Sequence, residues 1–167
     1  MNERTLSPMR KRLMAQATPH ADSGTAINLA ACATVLYSSE DSDHPVENIM
    51  DEHTGRGGTF WSSEQPSTVE QLLLEFDTPQ SIARLVYEVE EALAEKTQEV
   101  RIEASEDAGQ TYRGVLTQNF VFSPGGATFQ REDLPMQVSA LTHLRLTICL
   151  NKGATGKATL TSLRLYR

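Results

Sequence analysis

The segment Asp43–Ser62, DHPVENIMDEHTGRGGTFWS, decides how the rest of the chain is interpreted. It contains four acidic residues, two histidines, three glycines and the only tryptophan of the 167-residue chain. Acidic side chains and histidines can form a catalytic or metal site, whereas glycines and a tryptophan are typical of a packed structural corner. The residues around the segment distinguish these two interpretations.

Composition and charge indicate a soluble globular domain with a short extension. The chain is 39% hydrophobic and 22% charged, and roughly 140 residues are enough to bury a single core. A net charge of −7 argues against nucleic acid or an anionic membrane as a partner, because both require a cationic surface. No apolar run has the length of a membrane span, and the N-terminus lacks the apolar stretch of a signal peptide. We therefore expect a cytoplasmic protein.

The first 26 residues differ in texture from the rest of the chain. Residues 1–26 are rich in Arg, Ser, Thr, Pro and Ala and show no sustained period, so we expect a tail that is disordered or bound to a partner. Its basic residues Arg10, Lys11 and Arg12 are candidate partner contacts. Residues 27–167 are expected to form the folded domain.

Alternating apolar and polar residues predict short strands from Ile27 onwards, for example in ARLVYEVE and THLRLTICL. Turn sequences separate them: DTPQS, EDAGQ, SPGG and NKGATG. About eight short strands with such turns predict an all-β fold, an antiparallel eight-stranded β-sandwich or jelly roll. Within residues 27–167 only PVENIMD is helical in pattern, a short helix beginning near Pro45 with Asp43 or His44 as its cap; in the tail, SPMRKRLMAQ could form a short helix capped by Ser7. Cys32 and Cys149 are expected to be free thiols within strands, with a disulfide as the alternative.

The order of these landmarks resembles the discoidin family, the coagulation-factor C-type domain. Residues 38–63 resemble its signature of Ser-Ser, then Pro-x-x-Asn-hydrophobic-hydrophobic-Asp, then Thr-x-Trp. VRIEASEDAGQTYRGV resembles the family's strand-turn-strand segment, and LRLTI and ATLTSLRLYR resemble its last two strands. The resemblance spans about residues 27–167 and implies a galactose-binding-like jelly roll. It also implies that Trp61 is a buried core residue.

Within that superfamily, the segment Ser38–Asp51 is similar to the small intraflagellar-transport subunit that has this fold. It is more loosely similar to the N-terminal domain of the single-strand-break repair scaffold. Both are binding or scaffold modules without catalytic residues, so the resemblance implies a protein-interaction or assembly module. Arg56 at a glycine-rich loop tip, and Glu88 and Glu90 on the outward face of a strand, are then candidate partner contacts.

A structural calcium ion is also implied by the resemblance. In many discoidin-like domains an aspartate and a threonine hold Ca²⁺ together with loop carbonyls, and the ion takes six to eight oxygen ligands. Glu52 replaces the family's usual glycine after the aspartate, and Ser162 stands where many members carry a glutamate. The alternative is that Asp51 accepts hydrogen bonds from loop backbone N–H groups. The candidate ligands are the side chains of Asp51 and Thr59, the carbonyl oxygens of Asn48 and His53, and Ser162.

A carbohydrate-binding module is the alternative function, because the fold permits one. Sugar binding requires an exposed aromatic ring, and with 6% aromatic residues the candidates at loop ends are Tyr112, Phe120, Phe122 and Phe129. No nucleophile elbow, phosphate loop, dinucleotide motif or zinc spacing is present in the sequence. We therefore expect that the chain is not an enzyme.

Overall fold

The computed structural model describes residues 24–66 and 69–167. Its elements follow in chain order: α1 (Leu29–Cys32), β1 (Ala33–Tyr37), a 3₁₀ helix (Val46–Met50), β2 (Trp61–Ser62), β3 (Val69–Glu90), β4 (Lys96–Ser105), β5 (Arg113–Phe122), β6 (Phe129–Leu150), β7 (Thr159–Leu160) and β8 (Ser162–Tyr166). The predicted all-β sandwich is therefore confirmed. Within the described ranges, no helix is long and apolar enough to cross a membrane.

All strand pairs are antiparallel, and the long strands β3 and β6 organise them. The larger sheet has the order β1-β3-β6-β4-β5, with β8 also paired to β3, and β2 pairs with β7 in a small second sheet. The first part of β3 lies between β1 and the end of β6, whereas its last part lies between β8 and the start of β6. Each long strand thus contributes to both layers of the sandwich.

The predicted turn at DTPQS (residues 77–81) is instead a bend within β3. The pairing of β3 with β6 shifts register between Glu75 and Gln80, between Gln80 and Ile82, and again before Arg84. Pro79 cannot donate a ladder hydrogen bond, and prolines within sheets occur at such bulges. Two predicted strands are consequently one strand.

The predicted short helix is the 3₁₀ helix, but its cap differs from the prediction. Pro45 occupies the cap position without a side-chain hydrogen bond, so the predicted capping by Asp43 or His44 is wrong. Glu40 Oε2 accepts the first helical N–H, that of Val46, at 2.9 Å. A carboxylate at the positive end of the helix satisfies a donor that would otherwise have no partner.

The core lies between the two layers and includes Trp61, as predicted. The indole is fully buried, and its Nε1 donates to the carbonyl of Ser39 at 3.1 Å. Both cysteines are free thiols; Cys149 lies in β6, whereas Cys32 ends α1 rather than lying in a strand. The predicted tail helix and the predicted contacts Arg10, Lys11 and Arg12 fall outside the described residues.

Candidate functional site

The loop of residues 51–59 is closed by hydrogen bonds at its two ends. Thr59 Oγ1 donates to Asp51 Oδ2 at 2.6 Å, and the backbone N–H of His53 donates to Asp51 Oδ1 at 3.0 Å. Burial alone raises the pKa of Asp51, but the hydrogen bonds from Thr59 and His53 outweigh it and lower that pKa. Asp51 therefore closes the loop as a hydrogen-bond acceptor.

Two glutamates of β3 hold the middle of this loop, which we call the clamped loop. The backbone N–H of Gly55 donates to Glu88 Oε2 at 2.8 Å, and that of Gly57 donates to Glu90 Oε2 at 2.7 Å. Both glycines have positive φ, 82° and 72°, a conformation that glycine adopts at little cost. The clamped loop is thus attached to β3 by Glu88 and Glu90, two successive residues on the outward face of that strand.

Glu88 lies on the outward face of β3 as predicted, but the prediction that it is exposed is wrong. The clamped loop covers it, and it is only 2% exposed. Ser162 Oγ donates to Glu88 Oε2 at 3.0 Å, and the guanidiniums of Arg164 and Arg131 lie 3.6 and 3.9 Å from Oε1. A carboxylate with these partners is a structural anchor rather than a free docking group.

The structure brings two of the five predicted calcium ligands, Asp51 and Thr59, into contact. Asp51 and Thr59 are bonded to each other, whereas the Asn48 amide donates to the Phe60 carbonyl at 2.9 Å and Ser162 donates to Glu88. Residues 24–66 and 69–167 contain no group of three or more His, Cys, Asp and Glu side chains suited to a metal ion.

These side chains alone do not complete a Ca²⁺ site, which needs six to eight oxygens, and calcium binding stays a prediction. Asp51 is the only carboxylate among the five candidates. The nearby carboxylate of Glu88 already faces the guanidiniums of Arg131 and Arg164, which repel a further cation.

A stacked pair of rings lies beside the clamped loop. The rings of His44 and Phe60 are 4.0 Å apart with an interplanar angle of 20°. They line a hollow of about 470 Å³, which we call the His44–Phe60 cleft. A second hollow of about 430 Å³ adjoins the same two rings and includes Asn48, His53 and Thr59. The polar residues that line the cleft are Asp41, Ser62, Glu90, Glu91, Lys157 and Thr159.

The charged side chains around the cleft are held in fixed positions. Lys157 Nζ donates to Asp41 Oδ2, and Lys96 Nζ donates to Glu91 Oε2 at 2.9 Å. Burial lowers the pKa of Lys96. Burial alone would raise the pKa of Glu91, but the hydrogen bond from Lys96 outweighs it and lowers that pKa. Lys96 also donates to Thr159 Oγ1 at 3.0 Å. A cleft with pre-positioned polar groups loses little side-chain entropy on binding.

The four aromatic residues predicted to stack on a sugar pack in the core or against arginine side chains. Phe120 and Phe122 are buried in the core. Arg145 lies over the ring of Tyr112 at 3.9 Å, and Arg56 lies over the ring of Phe129 at 5.2 Å.

The pair that lines the cleft was missed. Phe60 immediately precedes β2, and both residues of β2, Trp61 and Ser62, are buried. Alternation along a strand therefore gives no signal for the orientation of Phe60. The position of His44 depends on a fold contact between residues sixteen apart and has no local signal.

The candidate partner contact Arg56 is exposed but has partners of its own. Its Nη1 donates to Thr128 Oγ1 at 2.6 Å, and its guanidinium covers Phe129. Binding of a partner by Arg56 stays a prediction.

The sandwich with its loop-end cleft defines a β-sandwich module of the discoidin class. The sequence pattern of the F5/8 type C domain matches residues 34–157. The chain belongs to the F5/8 type C, or discoidin, family. Among curated proteins no sequence relative was found. The closer similarity to the intraflagellar-transport and repair-scaffold domains stays a prediction.

Solved structures show the same fold at low identity. The family 32 carbohydrate-binding module of NanJ from Clostridium perfringens, solved with galactose, is 14% identical with a TM-score of 0.60, over 87% of this chain and 100% of that one. A CBM32 domain from the same organism, solved with GalNAc-β-1,3-galactose, is 18% identical with a TM-score of 0.61, over 86% and 100%.

An enzyme is also among the similar structures. The chain is 12% identical to a Ruminococcus gnavus GH29 fucosidase, with a TM-score of 0.63 over 84% of this chain and 26% of the fucosidase. The chain therefore spans about a quarter of that enzyme. At such identities the likeness shows the fold alone.

Proposed function

We propose that the chain is a non-catalytic binding module whose His44–Phe60 cleft binds a neutral carbohydrate. The observation that carries this proposal is the stacked pair of rings beside fixed carboxylates and an ammonium group. The apolar face of a sugar ring packs against aromatic surface, and its hydroxyls exchange hydrogen bonds with carboxylates and ammonium groups. The galactose and GalNAc-β-1,3-galactose complexes of two structural neighbours support this ligand class.

The size and charge of the cleft agree with a small neutral ligand. Its volume of about 470 Å³ lies in the range of about 300 to 1,000 Å³ that small-molecule sites occupy. Asp41 and Glu91 are each neutralised by a lysine, which favours hydroxyl groups over a strongly charged ligand. These ion pairs leave neither carboxylate as a free general acid or base, in keeping with a non-catalytic role.

The experiment is a titration of galactose, GalNAc and N-acetyllactosamine by isothermal calorimetry, after a glycan array has ranked the sugars. We expect Phe60→Ala and His44→Ala each to weaken binding at least tenfold, because each removes a ring from the cleft wall. Tyr112→Ala is the matched control, since it removes an aromatic ring that lies outside the cleft. Absence of millimolar or tighter binding, or equal binding by Phe60→Ala, would refute the carbohydrate proposal.

The second candidate function is protein interaction at the β1 edge of the larger sheet. β1 has the sequence ATVLY without a charged residue, and Leu36 and Tyr37 are exposed on it. Sheet edges are normally protected by charges or prolines, because their unpaired backbone groups can pair with another chain. We expect Leu36→Lys to abolish a genuine partner complex in cross-linking from native extract, whereas Val121→Lys, at an exposed apolar residue of the opposite edge strand β5, leaves it intact. Retention of every partner by Leu36→Lys would refute this candidate.

A further inference from the structure

A separate cavity of about 270 Å³ lies between β8, the end of the 3₁₀ helix and the start of the described chain. We call it the β8 cavity. Its apolar lining consists of the half-buried side chains of Ile27, Met50 and Tyr166 above the buried Leu29, Ile49 and Leu163, and its polar lining includes Glu52, Ser162 and Arg164. It shares no lining residue with the His44–Phe60 cleft.

Arg164 supplies a positive charge that is incompletely satisfied beside this cavity. Its ion pair with Glu88 spans 3.6 Å, longer than the roughly 2.7 to 2.9 Å of a charge-assisted hydrogen bond. Glu88 is also shared with Arg131, and its other oxygen accepts from Gly55 and Ser162. The Nε of Arg164 is buried and has no hydrogen-bond partner among the described residues.

Arg164 lines the cavity and is the charged group available to an anion there. Its side chain is 28% exposed, and a guanidinium offers donors in a geometry that matches a carboxylate. An apolar group of the ligand that leaves water for the cavity adds a hydrophobic gain to this charge interaction. The cavity thus favours a carboxylate attached to an apolar group.

Glu52 supplies a hydrogen-bond acceptor at the same cavity. It has φ of 70°, a left-handed conformation that is unfavourable for a residue with a Cβ. Such strained residues cluster at binding sites, where the surrounding structure maintains them. Its carboxylate is an acceptor for an N–H group of a ligand whose own carboxylate lies at Arg164.

We propose that the β8 cavity binds a single apolar residue that carries a free α-carboxylate and an acylated nitrogen. The carboxylate binds Arg164, the amide N–H faces Glu52, and the side chain packs on Ile27, Met50 and Tyr166. A volume of about 270 Å³ lies just below the usual range for drug-sized ligands, so one residue fills it. An N-acylated amino acid and the C-terminus of a peptide share this chemistry.

The test is a titration of the ¹⁵N-labelled full chain, followed by backbone amide resonances of the cavity residues. The probes are N-acetyl-leucine, its uncharged counterpart N-acetyl-leucinamide, and acetyl-Gly-Gly-Leu with a free or an amidated C-terminus. We expect only the two free acids to bind. If N-acetyl-leucine and the free-acid peptide bind with equal affinity, the site is assigned to free acylated residues. If the peptide binds ten times more tightly, the site is assigned to protein C-termini. Binding of neither acid, or equal binding of acid and amide, overturns the proposal.

Variants decide whether Arg164 and the cavity carry the binding. We expect Arg164→Gln to weaken binding of N-acetyl-leucine at least tenfold, because a hydrogen-bonded charge interaction is lost. Arg113→Gln, at an exposed arginine of β5, is the matched control and is expected to bind normally. Ala26→Trp places an indole in the cavity from its exposed lining residue Ala26 without changing charge and is expected to block binding, which keeps the test valid if Arg164→Gln fails to fold. Normal binding by a folded Arg164→Gln or by Ala26→Trp overturns the proposal.

Discussion

Removal of the Glu88 carboxylate is expected to destabilise the fold through the clamped loop. Glu88→Ala leaves the N–H of Gly55 and the hydroxyl of Ser162 without their acceptor, and leaves Arg131 and Arg164 without their shared anion. Breaking a buried ion pair costs about 3 to 5 kcal/mol. The two arginine side chains are 43% and 28% exposed and keep part of their hydration, so we expect the lower end, about 3 kcal/mol.

Glu88→Gln separates the charge from the shape of the side chain. The amide keeps the volume and one oxygen that can accept from Gly55 or Ser162, but it loses the negative charge. We therefore expect a smaller loss of about 1 to 2 kcal/mol in the free energy of unfolding. The order of stability is expected to be wild type, Glu88→Gln, Glu88→Ala.

The assays are urea denaturation and amide hydrogen exchange. For a domain of this size 1 kcal/mol corresponds to about 2 to 4 °C in Tm, so Glu88→Ala is expected to melt about 6 to 12 °C lower. Exchange at the Gly55 amide is expected to accelerate before that of the core strands, because the clamped loop opens first. Glu95→Ala, at an exposed loop residue, is the control and is expected to change stability by less than about 0.5 kcal/mol. A loss below about 1 kcal/mol for Glu88→Ala, or no change at the Gly55 amide, would contradict the clamp.

Three further outcomes follow from the described geometry. Hydrogen bonds from Thr111 and Ser105 lower the pKa of Asp107 to about 2. Because this folded-state pKa lies below the ordinary value of 3.8, the ionised Asp107 stabilises the fold fully above about pH 4, and this stabilisation is lost as the pH falls towards 2. A carboxyl ¹³C titration measures that pKa, Thr111→Ala is expected to raise it, and an unshifted value in the wild type would contradict the assignment. Glu52→Gly is expected to raise the free energy of unfolding in urea by about 1 kcal/mol, because glycine relieves the strain of the left-handed conformation. Glu47→Gly, in the 3₁₀ helix, is the control and is expected to give no such gain. A loss of stability in Glu52→Gly would show that the Glu52 side chain has a larger structural role. Excess chelator is expected to leave Tm unchanged, since an ion that binds only the folded state must raise stability; a fall of several degrees that calcium reverses would show that backbone carbonyls complete a calcium site.

The strands and the buried tryptophan could be predicted because their signals are local. Alternation in segments such as THLRLTICL reports which face of a strand is buried, whatever the rest of the chain does. The bend at Pro79 could not be predicted, since proline and its polar neighbours mark a turn and a bulge equally well. The outcome depends on whether β6 continues alongside, and that is a tertiary property.

The exposure of Glu88 shows the same limit at the candidate site. Alternation correctly places Glu88 on the outward face of β3, but it cannot show that a loop 33 positions earlier in the chain covers that face. A buried carboxylate requires compensating partners, and here they come from the clamped loop, β6 and β8. The sequence around a glutamate whose partners are distant in the chain looks the same as the sequence around a solvated glutamate.

The contacts of the clamped loop account for a departure from the discoidin pattern, the serine at position 162. The resemblance leads one to expect a glutamate at Ser162, yet Ser162 pairs directly with Glu88 of β3 in the sheet register and donates to its carboxylate. The acidic group thus lies on the neighbouring strand, where it accepts from Gly55 of the clamped loop. Glycines at 55 and 57 present their N–H groups to Glu88 and Glu90, so two hydrogen bonds fasten the clamped loop to β3. Glu90 also lines the His44–Phe60 cleft and Glu88 contacts Arg164, which lines the β8 cavity, so each carboxylate links the clamped loop to one candidate site.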